Sequence, residues 1–420
     1  MTIYSYPRSQ ALFARASACI PAGIYGHLGP SEGCFIPVSA YPFYMSRAKD
    51  SHFWDVDGNR FIDYMCAYGP NVLGYANGEV DAAAKTQIDL GNCVTLPSPI
   101  MIELAELLTE QVASAEWAFF AKNGGDVTNM AVLTARAATG RERIIRMKGG
   151  YHGVAQWMQD VGYAGITSAD LANNLEIPFN DVEALERVVA AYPGQIAGLI
   201  STPYHHPAFA DSELPKEGYW KKVREICDRE GIVLIIDDVR CGFRLDQKGS
   251  DYHFGFQADL ICFCKALANG YNISAICGRQ PFKSAASSVF YTGSYWLSAV
   301  PMAAALTTLR RLAELNGAKL MCDKGRTLTD GMKRIAAEEG YELVVTGEPS
   351  MFFMRLANDP TGARHQAFVA NCVKRGVFFV NHHNLFINCS LTDEDMETTW
   401  KVVREAFQEL KETEAKGDIL

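Results

Sequence analysis

Three apolar runs constrain the fold of this chain most: IAGLIS at 196–201, IVLIID at 232–237 and DLICF at 259–263. None alternates apolar with polar residues, so each strand must be covered on both faces, the condition of a parallel sheet packed between helices. A further strand is expected over 143–147, and helices over 100–114, 127–139 and 216–230. This βα succession predicts an α/β fold with a mostly parallel sheet in a large domain over 61–300. Ahead of it, HFWDVDGNRFIDYM at 52–65 reads as two short strands around the turn Asp57–Gly58. After about 301 the pattern changes to a long helix from Pro301, a helix near 319–339, short strands at 351–356 and 376–380, and a last helix over 393–415. That tail reads as a smaller α+β domain over 301–420.

A chain of 420 residues exceeds what one core organises, in keeping with two domains. No apolar run approaches the ~18 residues that span a bilayer, and the first residues lack the basic start and long apolar run of a secretion signal. Net charge is −9, with no dense Lys/Arg stripe, which argues against a nucleic-acid partner. The twelve cysteines follow no framework and point to reduced thiols in the cytoplasm. Cys262 and Cys264 would share one strand face. No second ligand pair stands at zinc spacing, so they read as buried structural thiols, and no metal is expected.

The chemistry lies where two apolar strands end. In VLIIDDVRCGFR, Asp237 and Asp238 stand where the chain leaves the sheet, and doubly wound sheets bind ligands at the carboxyl ends of strands. On this segment alone, a helix cap or a loop salt bridge is an equal reading. The next apolar strand ends at Lys265. A lone lysine after a strand is usually a surface residue that snorkels, but the pairing changes its meaning. A carboxylate that keeps a pyridine nitrogen protonated and a lysine that holds an aldehyde carbon act on opposite ends of one ring, as pyridoxal 5'-phosphate (PLP) requires. The freed lysine can then move a proton at the substrate carbon. Asn123, Gly124 and Gly125 precede a helix and can seat the phosphate on backbone N–H groups, although a Gly-Gly before a helix is by itself more often plain turn chemistry. In KGGYHG, the ring of Tyr151 can stack on a pyridine, with His152 beside it.

FAKNGGDVTNMAVLTARAATGR, GGYHG, LIIDDVRCGFR and CKALANG occur in the order and near the spacing of the class III aminotransferases. The chain resembles most the glutamate-1-semialdehyde aminomutase branch, and WDVDGNRFIDYMCAYGPNVLGY and HHNLFINCSLTDEDM extend the likeness over most of it. The resemblance implies the PLP-transferase fold type I: a large domain with a mostly parallel seven-stranded sheet, and a smaller α+β domain built from both termini, which residues 1–60 join. It implies a homodimer with active sites at the interface, PLP on Lys265, Asp237 at the pyridine nitrogen, Val239 behind the ring and Tyr151 in front. A hydroxyl from the other subunit, Ser294 or next Thr292, would reach the phosphate.

Departures from the family bear on the substrate. The usual Ser-Gly-Thr loop is here Asn123-Gly124-Gly125. Arg240 stands where relatives carry Gln or Met, and can contact a cofactor oxygen, pair with Asp238 or face outward. The branch's carboxylate-binding Arg is missing from GIYGHLGPSEG, which puts bidentate carboxylate recognition in question. Tyr25, His27, Tyr68 and His383 are expected in the substrate pocket, each with a core or loop role as the alternative. The expected activity is transfer of an amino group between a donor and an aldehyde or ketone, with amines, polyol-like compounds and aminoglycoside-type amino sugars as candidate substrates. An aminomutase or epimerase and a non-catalytic relative are the alternatives.

Overall fold

The computed structural model describes residues 2–21, 23–24 and 41–417. The chain forms two compact units, one of residues 78–207 and 213–319, the other of residues 1–77, 208–212 and 320–420. The expected lines at 60/61 and 300/301 thus give way to divisions after Asn77 and Lys319. The helix Ala299–Glu314 belongs with the larger unit because it packs on the helices Gly78–Leu90 and Ile100–Gln111 and on the turn at Lys265.

The larger unit holds a seven-stranded sheet made of β1 (Trp117–Ala121), β2 (Arg143–Met147), β3 (Asn174–Ile177), β4 (Ile196–Ser201), β5 (Val233–Asp237), β6 (Leu260–Phe263) and β7 (Ser274–Gly278). Their order is β1-β7-β6-β5-β4-β2-β3. β2 to β6 are mutually parallel, and β7 runs antiparallel to both β1 and β6. Every residue of β4, β5 and β6 is buried, as unalternating apolar strands demand. The helix Gly124–Thr139 covers one face with Val127, Met130, Ala131 and Ala135, which join Ile144, Ala197, Ile235, Leu260 and Ile276 in one core. It stops at Gly140, whose φ of +68° lets its N–H reach back to the Arg136 carbonyl. The helix expected from 216 starts at Tyr219, because Gly218 adopts a left-handed conformation just before it.

The smaller unit contains a four-stranded sheet of Met45–Lys49, His52–Asp55, Arg60–Asp63 and Val377–Phe378, in that order. The expected hairpin around Gly58 is present, His52–Asp55 pairing antiparallel with Arg60–Asp63. Val377 pairs parallel with Ile62, so segments from both ends of the chain share one sheet. A three-stranded sheet of Leu343–Glu348, Met351–Leu356 and Leu385–Phe386 and the helices Pro7–Ala16, Ala363–Val373 and Asp393–Ala415 also belong to it, with most of the helix Gly317–Glu338. Among the described residues, no helix is long and apolar enough to cross a membrane.

Candidate active site

β5 and β6 are neighbours with Asp237 beside Cys262, and the Asp238 N–H donates to the Cys262 carbonyl at 3.0 Å. Asp237 therefore closes one strand, and Lys265 leaves the next at the same, carboxyl end of the sheet. Asp237 is 5% exposed. Its Oδ1 accepts the Val239 N–H at 3.1 Å, and its Oδ2 meets His152 Nδ1 at 2.8 Å. Thr128 fixes that histidine from behind by donating to its carbonyl at 2.6 Å. With Nδ1 committed to the carboxylate, Nε2 is the remaining ring nitrogen, and it is buried without a hydrogen-bond partner.

Lys265 opens a short 3-10 turn, Lys265–Ala268, at a φ of +37°. Left-handed backbone at a residue with a side chain costs about 1–3 kcal/mol and persists only where the surroundings impose it. Burial pushes its amine down to about 7, the Arg240 guanidinium pushes the same way, and Cys264 and Asp237 oppose them. A large share of the lysine is thus uncharged at neutral pH, as a nucleophilic amine must be.

The helix Gly124–Thr139 brings its N-terminus to this point. The Asp126 carboxylate accepts the N–H groups of Asn123 at 2.7 Å and Lys122 at 3.2 Å, which holds the turn. A Cβ on Gly124 would lie 2.8 Å from a Val239 methyl, and one on Gly153 would lie 2.6 Å from the Cα of Gly125. The glycines therefore let the helix terminus close against both Val239 and the loop that carries His152. An anion at those N–H groups, a ring over Val239 and an aldehyde at Lys265 are mutually compatible. With an unsatisfied buried imidazole beside the carboxylate, the donor set fits PLP.

Tyr151 precedes His152 and is 62% exposed, with its hydroxyl within electrostatic reach of Arg240. Thr292 and Ser294 are exposed, and the Ser294 carbonyl accepts from the Cys93 thiol at 3.4 Å. Asp238 turns away from the site: Ser250 supplies its N–H at 2.9 Å and its hydroxyl at 2.5 Å to the two carboxylate oxygens. This separates the two acids that the VLIIDDVRCGFR segment by itself leaves equivalent. Of the three placements open to Arg240, the pairing with Asp238 is not adopted. Its Nη1 donates instead to His206, at 3.0 Å to Nδ1 and 3.1 Å to the carbonyl. His206 was missed in the sequence, although it follows β4, the sheet neighbour of β5, and the rule that singles out Asp237 applies equally to the TPYHHP segment.

Tyr68 and His383 belong to the smaller unit, where their rings meet edge to face at 5.2 Å. Tyr68 sits in a run of left-handed residues, Cys66, Ala67, Tyr68 and Gly69, with φ between +46° and +108°. Three side-chain-bearing residues held there in succession are a strained turn, the kind that gathers at ligand-binding sites. His383 Nδ1 donates to the Asn384 carbonyl at 2.9 Å, which fixes its tautomer. Tyr25 and His27 lie outside the described residues.

Fold and site together define a PLP-dependent transaminase, and comparison with known proteins agrees. The family profile "Aminotransferase class-III" matches residues 36–407. An aminopentol aminotransferase of Sphingopyxis macrogoltabida is 40% identical over 95% of this chain and 94% of its own length. A glutamate-1-semialdehyde 2,1-aminomutase of Desulforudis audaxviator is 30% identical over 96% of this chain and 98% of its own. Among solved structures, the FumI protein of Sphingopyxis sp. MTA144, in its PLP internal aldimine form, superposes with a TM-score of 0.94 at 39% identity, covering 97% of both chains. The chain belongs to the class III aminotransferase family. It is a PLP-dependent aminotransferase, as the sequence motifs lead one to expect.

Proposed function

We propose that this enzyme takes the amino group from an amine on a polyhydroxylated compound, amino sugars included, with PLP held on Lys265 and its pyridine nitrogen on Asp237. The observation that supports the site assignment is the pairing of β5 with β6, which brings the buried Asp237 and the turn that opens at Lys265, with its low-basicity amine, to the same end of neighbouring strands. The substrate class is supported by the name of the 40% identical relative, an aminopentol aminotransferase, and by the lack of an Arg in residues 23–33, where the branch binds a substrate carboxylate. Tyr68 and His383 are assigned to the substrate pocket on the strained turn that carries Tyr68.

When bound, PLP supplies the electron sink that makes the proton on the amine-bearing carbon labile. The chain's residues do the rest. Asp237 keeps a positive charge on the ring nitrogen, and His152 Nδ1 orients that carboxylate. Val239 and Gly124, packed against each other, would shape the floor under the ring, and the N–H groups of Gly124 and Gly125 would hold the phosphate. With PLP and substrate bound, the Lys265 amine would serve as the base and acid that moves the proton of the amine-bearing carbon.

The active form is a homodimer of cytoplasmic location in this reading. Val94, Leu96, Phe290 and Tyr295 are exposed apolar side chains in the two segments that meet where the Cys93 thiol reaches Ser294. An apolar patch of this kind beside hydroxyls assigned to a neighbour's phosphate suits a subunit interface. The eleven described cysteines are all free, in keeping with a reducing compartment.

The test is the spectrum of PLP-loaded protein mixed in turn with amino polyols, amino sugars and glutamate, without a keto acid. Conversion of the cofactor to its amine form by the polyhydroxylated amines supports the proposal. Conversion by glutamate alone overturns the substrate class. The aminomutase relative keeps an isomerase as the second reading, and rearranged substrate without net transfer of the amino group would establish it.

A further inference from the structure

The site contains a polar pair that the steps above leave unused. Arg240 follows β5 and His206 follows β4, adjacent strands, and the loops bring the two side chains together. A guanidinium carries donors only, so the 3.0 Å contact from Arg240 Nη1 requires a lone pair on His206 Nδ1. The ring proton therefore sits on Nε2, and the ring is neutral. Burial first, and the facing guanidinium second, hold its basicity well below that of an ordinary histidine. Nε2 itself is buried and lacks a hydrogen-bond partner. A ring placed for its own hydrogen bonding would satisfy both nitrogens; this one satisfies Nδ1, toward Arg240.

The same guanidinium lies within electrostatic reach of the lysine. Asp237 lies opposite Cys262 in the sheet, so the loop that carries Arg240 and the turn that opens at Lys265 leave neighbouring strands at the same end. The charged or titratable groups facing the Lys265 amine are Arg240 and Arg244 as cations, Asp237 and Cys264 as groups of opposite sense, and the His206 ring. A neutral side chain at 240 would remove one of the two cations. Two bonds from one Nη to His206 keep that cation from swinging toward solvent.

We propose that His206 and Arg240 act as one positioning unit on Lys265, the histidine clamping the guanidinium beside the lysine so that the empty site keeps its amine in the nucleophilic form. This rests on the reading of Lys265 as the cofactor lysine. Neither residue is assigned a contact with the reacting atoms, and their action is on the readiness of the amine.

The test is acetylation of Lys265 in the full-length protein freed of cofactor, followed against pH by peptide mass spectrometry. The wild-type midpoint is expected near 7. Arg240→Gln should raise it by about one pH unit, which lowers the rate at neutral pH about fivefold. Arg240→Lys should bring it back toward the wild type, and His206→Phe should raise it by less than Arg240→Gln does. An unmoved midpoint in Arg240→Gln, or an Arg240→Lys protein that behaves like it, overturns the proposal. The wild type supplies a check that needs no variant. Nitrogen-15 NMR should show His206 protonated on Nε2 and not titrating between about pH 5 and 9, and a proton on Nδ1 would refute the clamp. Added PLP should block acetylation at Lys265. Failure of that protection would instead sink the assignment of Lys265, whatever Arg240 does.

Discussion

Asp237 and Asp238 are consecutive residues at one strand end, yet they anchor two polar regions of opposite character. Around Asp238 the network is closed. Ser250 serves both its oxygens, and Asp251 next to that serine accepts from the N–H groups of Tyr252 and Ala258 and from the Ser114 hydroxyl. Around Asp237 it is open. His152 and His206 each keep a buried nitrogen without a partner, and Lys265 has left-handed backbone and a low-basicity amine. A buried polar group with no partner costs about 1–3 kcal/mol, so a fold tolerates several together only where something else satisfies them. The closed region holds the sheet end in place, and the open one is shaped for a ligand.

The largest effect is expected at the lysine. Lys265→Ala should lower amino transfer by at least ~10³-fold and abolish the visible absorbance of PLP-treated protein, while the melting temperature of the cofactor-free form stays within a few degrees of the wild type. Asp237→Asn comes next, with a loss of about 10²–10³ in kcat and a smaller change in cofactor affinity, because an amide cannot stabilise a protonated pyridine. If Asp238→Asn lowered turnover as much as Asp237→Asn, the division into an open and a closed region would fail.

Much of the fold and the acid–lysine pair was legible in the sequence, and the rest was not for physical reasons. β2, β4 and the strands Met351–Leu356 and the helix Asp393–Ala415 lie where the apolar pattern puts them, since their periodicity is strong and their ends are punctuated. The edge strands β1 and β3, and β7 between β1 and β6, were not read. β3 is only partly buried and carries polar residues, and WAFFA in β1 has no polar alternation to mark it. Lys265 and Asp237 stood out as a pair, an acid at one apolar strand end and a lysine at the next. Which of the two adjacent acids is taken up by a closed network depends on Ser250, and the partner of Arg240 on a loop 34 positions away. Contacts of that range leave no periodic trace in one sequence.

A middle-sized effect tests the glycine cradle that joins the helix terminus to the open region. A methyl at Gly124 would come within 2.8 Å of Val239, so Gly124→Ala should weaken PLP binding about tenfold by pushing the N–H groups off the phosphate. Adding Val239→Ala removes the colliding methyls and should recover most of that loss. Measured cofactor dissociation constants decide it, and a double variant no better than Gly124→Ala would place the strain elsewhere.

The smallest effect on turnover, and the sharpest probe of the closed region, is the pH response of Asp238. Burial pushes its carboxyl up to about 7, and the two bonds from Ser250 only partly offset this. In the unfolded chain it titrates near 3.8. Between those values the folded protein holds a proton that the unfolded one has released, so stability falls as pH rises through this window. At full size the effect is on the order of 4 kcal/mol, reached above about pH 7. Asp238→Asn cannot ionise and can still accept from the Ser250 N–H and donate to its hydroxyl. The variant should therefore match the wild type in kcat, and its melting temperature should fall less than the wild type's between pH 5 and 8. Equal slopes for the two proteins would mean that Asp238 is already ionised in the folded state at pH 5, and the closed network would then have to hold a charge.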